Sequence, residues 1–313
     1  MIEPATIQLE ASSFCQLRCP SCPTASGAID AAIGRGFLRF RDFKDLLDHN
    51  PAIQRIELSN YGETFLNPEL LEIFEYAYRA GVSIAIDGGA NLNQIDAAVL
   101  EGLVKYRVRI LRCSIDGATA ETYEKYRVRG NFEKVIENVE RINHYKRLYR
   151  SEFPRLGWQF IVFGYNEHEL PMARRMAASL QMDFHPKLTW DTKFSPIIDA
   201  DFVREQTGLA YTTRDEYQRI TGEIFLNSIC HQLWDSPQIN WDGRVLGCCR
   251  NFWGDFGVNA FHDGLYESLN GEGMNYARQM LSGEAPAKDG IPCTTCEIYL
   301  WMRRNSKWLA PRA

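Results

Sequence analysis

Between residues 6 and 188 of this 313-residue chain, short runs rich in β-branched and aromatic residues alternate with longer stretches of helical periodicity. That alternation is the strongest constraint on the fold, because neighbouring parallel strands need a long crossover between them and a helix is the usual one. The spacing predicts six strands, Thr6–Glu10, Gln54–Ser59, Val82–Asp87, Val108–Asp116, Leu156–Phe163 and Met182–Thr189, each bounded by turn-forming residues. A helix is expected over Pro68 to Ala80, with Asn67 able to cap it, Pro68 suited to its first turn and Gly81 as its stop. A second is expected from Phe132 to Arg150, where Phe132, Val135, Ile136, Val139 and Ile142 recur on one face. After Thr189 the alternation ends, and the chain turns to aromatics, glycine and five of its nine cysteines. The expected division is an α/β unit over 1–190, a connecting region over 191–229 with some helix near Thr213–Thr221, and a small cysteine-bearing domain over 230–313.

Composition narrows the setting. A formal net charge of -5, from 40 acidic and 35 basic residues, gives no basic footprint for nucleic acid. The N-terminus lacks a basic segment followed by an apolar stretch, and no 18-residue apolar run follows, so no membrane partner is expected and a reducing cytoplasm is the expected location. In that compartment disulfides are rare, and closely spaced thiols hold metal or do redox chemistry.

Cys15, Cys19 and Cys22 form C-x3-C-x2-C directly after the first predicted strand. Three thiolates on one short loop can hold three irons of a [4Fe–4S] cube and leave the fourth open to a small ligand. A structural zinc ion needs a fourth ligand, for which His49 and Cys113 are the candidates nearest in sequence.

The triad at the end of strand one, followed by six βα units, resembles the radical S-adenosylmethionine (SAM) superfamily. Asn60-Tyr61-Gly62-Glu63 after strand two is similar to that family's GGE segment, whose backbone and carboxylate hold the methionine ammonium of SAM. Leu111 to Gly117 resembles its fourth strand, and by alternation Arg112, Ser114 and Asp116 share one face, expected inside the barrel. Tyr123, Arg127 and the segment from Phe132 to Asn138 resemble the subgroup with extra C-terminal clusters. Two departures stand out: Ser21 occupies the position before the third cysteine, where the family has a large apolar residue near the adenine, and Asp87-Gly88-Gly89-Ala90-Asn91 replaces a frequent Thr-Asn-Gly. The resemblance implies a partial (β/α)6 barrel that binds SAM. Its candidate SAM-binding residues are Tyr61, Gly62, Glu63, Asp87, Ser114, Asp116, Arg127, Gln159 and Asn166.

The C-terminal cysteines, Cys230, Cys248, Cys249, Cys293 and Cys296, read C-x17-C followed by a C-x2-C pair, with Gly243 before Cys248 suggesting a hairpin. This resembles the twitch domain, a shortened SPASM domain; no cysteine follows Cys296, so one auxiliary [4Fe–4S] cluster is expected, making two in all. Cys230, Cys248, Cys293 and Cys296 are its candidate ligands, with a zinc ribbon as the alternative. Cys249 is left over as a swapped ligand, a packed thiol or a hydrogen-atom donor. Arg250 to Gly257, rich in aromatics and glycine, is expected as a cap near that cluster or as core.

The implied reaction begins with reductive cleavage of SAM and hydrogen abstraction from a substrate. Four thiolates on the auxiliary cluster suit an electron relay, and the layout resembles dehydrogenases of the 2-deoxy-scyllo-inosamine type, so oxidation of a small alcohol or sugar is the first expectation. The alternative is modification or epimerisation of a ribosomally made peptide, although no leader-binding module fits before Thr6; a non-catalytic zinc protein is the reading from another class. Gln159, Asn166, His185, Lys187 and Asp191 are polar residues expected near the barrel rim, with surface or core positions as the plain reading; His185, Lys187 and Cys249 are the catalytic candidates. A flavodoxin or ferredoxin is the electron donor the family implies.

Overall fold

The structure, a computed structural model, describes residues 1–310. The last three residues of the segment assigned to 230–313 lie outside the described residues. Eight strands form one sheet: β1 (Thr6–Leu9), β2 (Arg55–Glu57), β3 (Ser83–Ala90), β4 (Ile110–Ser114), β5 (Arg155–Val162), β6 (Met182–Leu188), β7 (Gln238–Ile239) and β8 (Val245–Gly247). Their order is β6-β5-β4-β3-β2-β1-β7-β8. Every neighbouring pair is parallel except β7 with β8. The first six are the six strands of the sequence pattern, with ends shifted by up to three residues.

Alternation divides the sheet into two chemically different faces. Ile7, Leu9, Ile56, Leu58, Ile84, Ile86, Leu111, Cys113, Leu156, Trp158 and Phe160 are buried in one apolar core that also takes Leu70, Ile73 and Phe74 from the helix Leu70–Arg79 and Val135, Val139 and Ile142 from the helix Phe132–Tyr149. This places Cys113 behind the sheet, against the helices. The opposite parity carries Glu10, Glu57, Asp87, Arg112, Ser114, Gln159, His185 and Lys187, so the concave face is polar and charged. A carboxylate at a strand's end gathers backbone amides that the widening strands leave unpaired. Glu57 accepts from the N–H of Asp87 and of Gly88, Asp116 from Ile161, and Glu10 from Tyr61 and Gly62.

The helix expected from Pro68 begins at Leu70. Asn67 makes the capping-type bond in the turn that leads into it, its Oδ1 accepting from the Glu69 N–H at 2.8 Å, while its Nδ2 donates to the carbonyls of Ala11 and Leu38. The amide is drawn into tying strand ends together, and a short turn over Thr64–Leu66 precedes the helix. The helix near Thr213 is present as Arg214–Thr221, with the Thr213 side chain accepting from Glu216 N–H.

The cysteine-rich C-terminal segment joins the same sheet. The N–H groups of Gln8 and Glu10 donate to the carbonyls of Pro237 and Ile239, both at 3.0 Å, so β7 covers the edge of β1. The expected hairpin at Gly243 is β7–β8, where φ of +88° places that residue in the left-handed region that favours glycine. Among the described residues no helix is long and apolar enough to cross a membrane.

Candidate active site

Cys15, Cys19 and Cys22 lie on the loop leaving β1, and none of the nine cysteines forms a disulfide. The loop curls because the Cys22 N–H donates to the Cys19 carbonyl at 3.1 Å and the Ser26 N–H to the Cys22 carbonyl. Leu17, Tyr126, Phe163 and Phe194 pack around the thiols. Burial and the nearby Glu63, Cys19 and Cys22 push the Cys15 thiol up to about 12. Burial also raises Cys19, against the pull of Arg127, whose Nη1 lies 3.8 Å from its sulfur. Thiols raised in this way, as at Cys15 and Cys19, ionise more readily beside positive charge, which a bound iron cluster supplies. Among the described residues no three His, Cys, Asp or Glu side chains converge as ligands of one metal ion would. A cube makes no such demand, since each thiolate holds its own iron at a separate corner.

The Tyr61-Gly62-Glu63 loop lies against this triad. Glu10, fully buried, accepts from the N–H groups of Tyr61 at 3.0 Å and Gly62 at 3.2 Å, and burial pushes its carboxyl up to about 8. The Glu63 N–H donates to the Phe14 carbonyl at 2.6 Å. Gly62 has no room for a side chain, since a Cβ would fall 2.0 Å from the Ser12 carbonyl oxygen. The Glu63 carboxylate turns inward to the N–H groups of Asn91 at 2.7 Å and Phe65 at 3.3 Å, and burial raises it to about 7. Each oxygen thus accepts one bond from the chain and keeps a lone pair that an ammonium can use, beside the groups of the loop backbone. The Tyr61 hydroxyl donates to the Asn251 carbonyl at 2.8 Å, which ties this loop to the C-terminal segment.

Across the barrel, buried Asp116 pairs with Arg127 at 2.6 Å, and burial raises its pKa against that pairing. Ser114 and Gln159 face Gly89, where a Cβ would stand 2.5 Å from Ser114 Oγ and 3.5 Å from Gln159 Nε2; glycine with φ of +122° leaves space before both. Gln159 Oε1 is buried without a partner, the mark of an acceptor that a ligand can satisfy. Asp87 binds Arg112 Nε at 2.6 Å. Asn166 is different: its Nδ2 donates to the Asp116 and Ile161 carbonyls and its Oδ1 accepts from Phe163 N–H, so it latches the turn after β5 with no polar atom left for a ligand. Asp191 is likewise drawn to Ser21 Oγ at 2.7 Å, joining the triad loop to the segment after β6. His185 stands beside Arg112 with Gly157 between them. Lys187 is exposed near the end of β6, and desolvation followed by the neighbouring Arg112 lowers its pKa.

Cys230, Cys248, Cys293 and Cys296 line one pocket with Trp253, Phe256 and Tyr299. Burial pushes Cys248 up to about 12 and raises Cys293 further, with Cys248, Cys230 and Cys296 among its electrostatic neighbours. Trp253 Nε1 donates to the Pro292 carbonyl at 3.0 Å, so the aromatic segment after Cys249 closes over these thiols. Cys249 is absent from the cavity wall. Its N–H donates to Gln232, and its carbonyl accepts from Asn60 Nδ2 at 3.0 Å.

Glu10, Glu57 and Asn91 were missed by sequence reasoning. For the two acids the signal was available, since a charged residue that keeps the inward parity at a strand's end has few other roles. Nothing local marks Asn91.

No family profile matches the chain. Over 139 residues, or 44% of its length, it is 30% identical to the AdoMet-dependent heme synthase of Methanosarcina barkeri. The chain spans only 38% of that protein. Its fold is similar to Streptococcus suis SuiB bound to S-adenosylmethionine, with a TM-score of 0.65 and 14% identity over 95% of this chain and 71% of that one. It is also similar to BtrN in complex with AdoMet and 2-DOIA, with a TM-score of 0.54 and 13% identity over 95% of this chain and 94% of that one.

Proposed function

The chain belongs to the radical SAM superfamily, and from that premise we propose that it is an oxidoreductase that removes hydrogen from a small polar alcohol or sugar-type substrate. When bound, SAM and a [4Fe–4S] cluster on Cys15, Cys19 and Cys22 supply a 5′-deoxyadenosyl radical through one-electron cleavage of the sulfonium. The chain's own residues do the positioning. Glu10 fixes the Tyr61-Gly62 backbone, Ser114 with Arg127 offers a hydroxyl and a cation for a carboxylate, and Gln159 presents an unpaired acceptor. Tyr126, Phe163, Tyr165 and Phe194 stack as an aromatic wall beside the triad and exclude water.

The observation that carries the oxidative reading is the C-terminal cavity with its four thiols. When a second [4Fe–4S] cluster is held by Cys230, Cys248, Cys293 and Cys296, no iron is left open, which suits acceptance of an electron rather than substrate ligation. In this reading residues 1–190 are the SAM barrel, 191–229 the connection and 230–313 the electron-accepting unit, with a flavodoxin or ferredoxin as reductant. Peptide modification is the second reading. It is supported by likeness to SuiB, which has been crystallised with its precursor peptide SuiA, and by Cys249, anchored to Asn60 beside the Tyr61 loop, where a hydrogen-atom donor would stand.

The test is anaerobic purification with iron and sulfide counting, then incubation with SAM, dithionite and polyols. About eight irons per chain, deoxyadenosine, and a product lighter by two hydrogens support oxidation. Zinc without sulfide or deoxyadenosine overturns the enzyme reading. Peptide epimerisation that is lost in Cys249→Ala selects the second reading.

A further inference from the structure

Tyr61 meets three parts of the molecule at once. Its N–H donates to Glu10 at 3.0 Å, its carbonyl accepts from the Oγ1 of Thr24, just beyond Cys22, at 2.6 Å, and its hydroxyl donates to the Asn251 carbonyl at 2.8 Å. Beside it, Asn60 Nδ2 donates to the Cys249 carbonyl at 3.0 Å. The Tyr61 ring enters a small apolar core, distinct from the main one, that joins Ile29 and Ile33 of the segment after the triad to Leu246 and Phe252 of the C-terminal segment. It stands edge-on to Phe252, with ring centroids 6.1 Å apart. The two carbonyls that Asn60 and Tyr61 use belong to one turn, which starts at Cys248. That turn is closed by the Asn251 N–H on the Cys248 carbonyl at 3.1 Å and by Asn251 Nδ2 on the Leu246 carbonyl at 2.7 Å. It is also held by the Cys249 N–H on the Oε1 of Gln232, just after Cys230, at 2.9 Å. Its supports are therefore the segments that carry two thiols of the C-terminal pocket, Cys230 and Cys248.

We propose that Tyr61 is a positioning residue that couples the two thiol sites, so that a cluster at the C-terminal one strengthens SAM binding at the other. Drawing Cys230 and Cys248 to one centre fixes both supports of the 248–251 turn, and with them the carbonyls that hold Asn60 and Tyr61. The Tyr61-Gly62 backbone is then ordered before SAM arrives, and SAM binding no longer bears the entropy of ordering it. The hydroxyl is the part of the link that can be removed alone, because the ring's packing and the backbone bonds to Glu10 and Thr24 do not use it. The coupling rests on the second cluster proposed above and not on the oxidation of any substrate.

A double-mutant cycle on SAM affinity, measured by equilibrium dialysis of the anaerobically reconstituted full chain with iron and sulfide counted in each sample, tests it. Tyr61→Phe is expected to keep about eight irons and to bind SAM about fivefold or more weaker, the lower end of an ordinary coupling between sites. Cys293→Ser, which alters the C-terminal site alone, should keep about four irons and show a similar loss, and adding Tyr61→Phe to it should cost under about twofold more. Gln232→Met, which releases the Cys249 N–H without touching a thiol, is a second background in which the Tyr61→Phe loss should shrink. In Cys293→Ser, the change that SAM causes in the paramagnetic resonance spectrum of the reduced triad cluster should come at the same SAM concentration with and without Tyr61→Phe. A loss of equal size in every background would make Tyr61 a purely local support and overturns the proposal. Undiminished SAM affinity in Tyr61→Phe or in Cys293→Ser overturns it as well, and so does a parent chain with iron at the triad alone. Coupling in a chain that oxidises no polyol would leave this proposal standing and sink the oxidation reading alone.

Discussion

Glu10 concentrates the residue-scale chemistry, because it is a buried acid whose bonds are all made to the loop that follows strand two. Its folded pKa of about 8 lies above the ordinary 4.5, so the native chain holds its proton across that window and the unfolded chain does not. The stability this contributes is complete below the unfolded pKa and is lost as pH rises toward 8, on the order of a few kcal/mol for a fully buried group. In urea titrations between pH 5 and 8, Glu10→Gln is expected to lose stability less steeply than the parent chain; equal slopes would show that Glu10 does not hold the proton. Cys19 makes a second residue-scale case, since its sulfur is the most buried of the triad and lies near Arg127. Cys19→Ser is expected to bind about four fewer irons and to form no deoxyadenosine, with an unchanged far-ultraviolet dichroism spectrum. Retention of the iron would remove the triad from cluster binding.

At the scale of elements, the loop after β2 is fixed by contact on both sides. Glu10 holds its amides from below, and the Ser12 and Phe14 carbonyls leave no space above Gly62, where a Cβ would meet them at 2.0 and 2.7 Å. Gly62→Ala must displace one backbone or the other, and SAM affinity should fall by at least tenfold while the C-terminal thiols still take up iron. Undiminished SAM binding would mean that the cofactor does not use this loop. The Leu70–Arg79 helix illustrates why boundaries escape a sequence reading. Asn67 and Pro68 are good helix-start residues, and Asn67 Oδ1 does accept from the Glu69 N–H, but the first turn is tight, with the Leu70 N–H on the Asn67 carbonyl, and the regular α-helix runs from Leu70.

For the whole molecule, the C-terminal segment is part of the barrel's construction. β7 pairs with β1, and the Gln8 and Glu10 amides that would otherwise line an open edge are bonded to it. Those two amides should exchange with solvent as slowly as the strand interiors, and a chain ending at residue 229 should be largely insoluble; fast exchange at both would show that β7 does not close the edge. The sequence by itself determined the six βα units, the parity that places Arg112, Ser114 and Asp116 on one face, the two groups of cysteines and the hairpin at Gly243. Periodicity and turn chemistry are local, so each of these is written in consecutive residues. Only the tertiary structure decided that Asn166 is a latch, that Glu63 turns to the chain's own amides, and that Tyr61 reaches Asn251. Those outcomes depend on which groups from distant segments compete for the same donors and acceptors, and that competition exists only once the strands have brought them together.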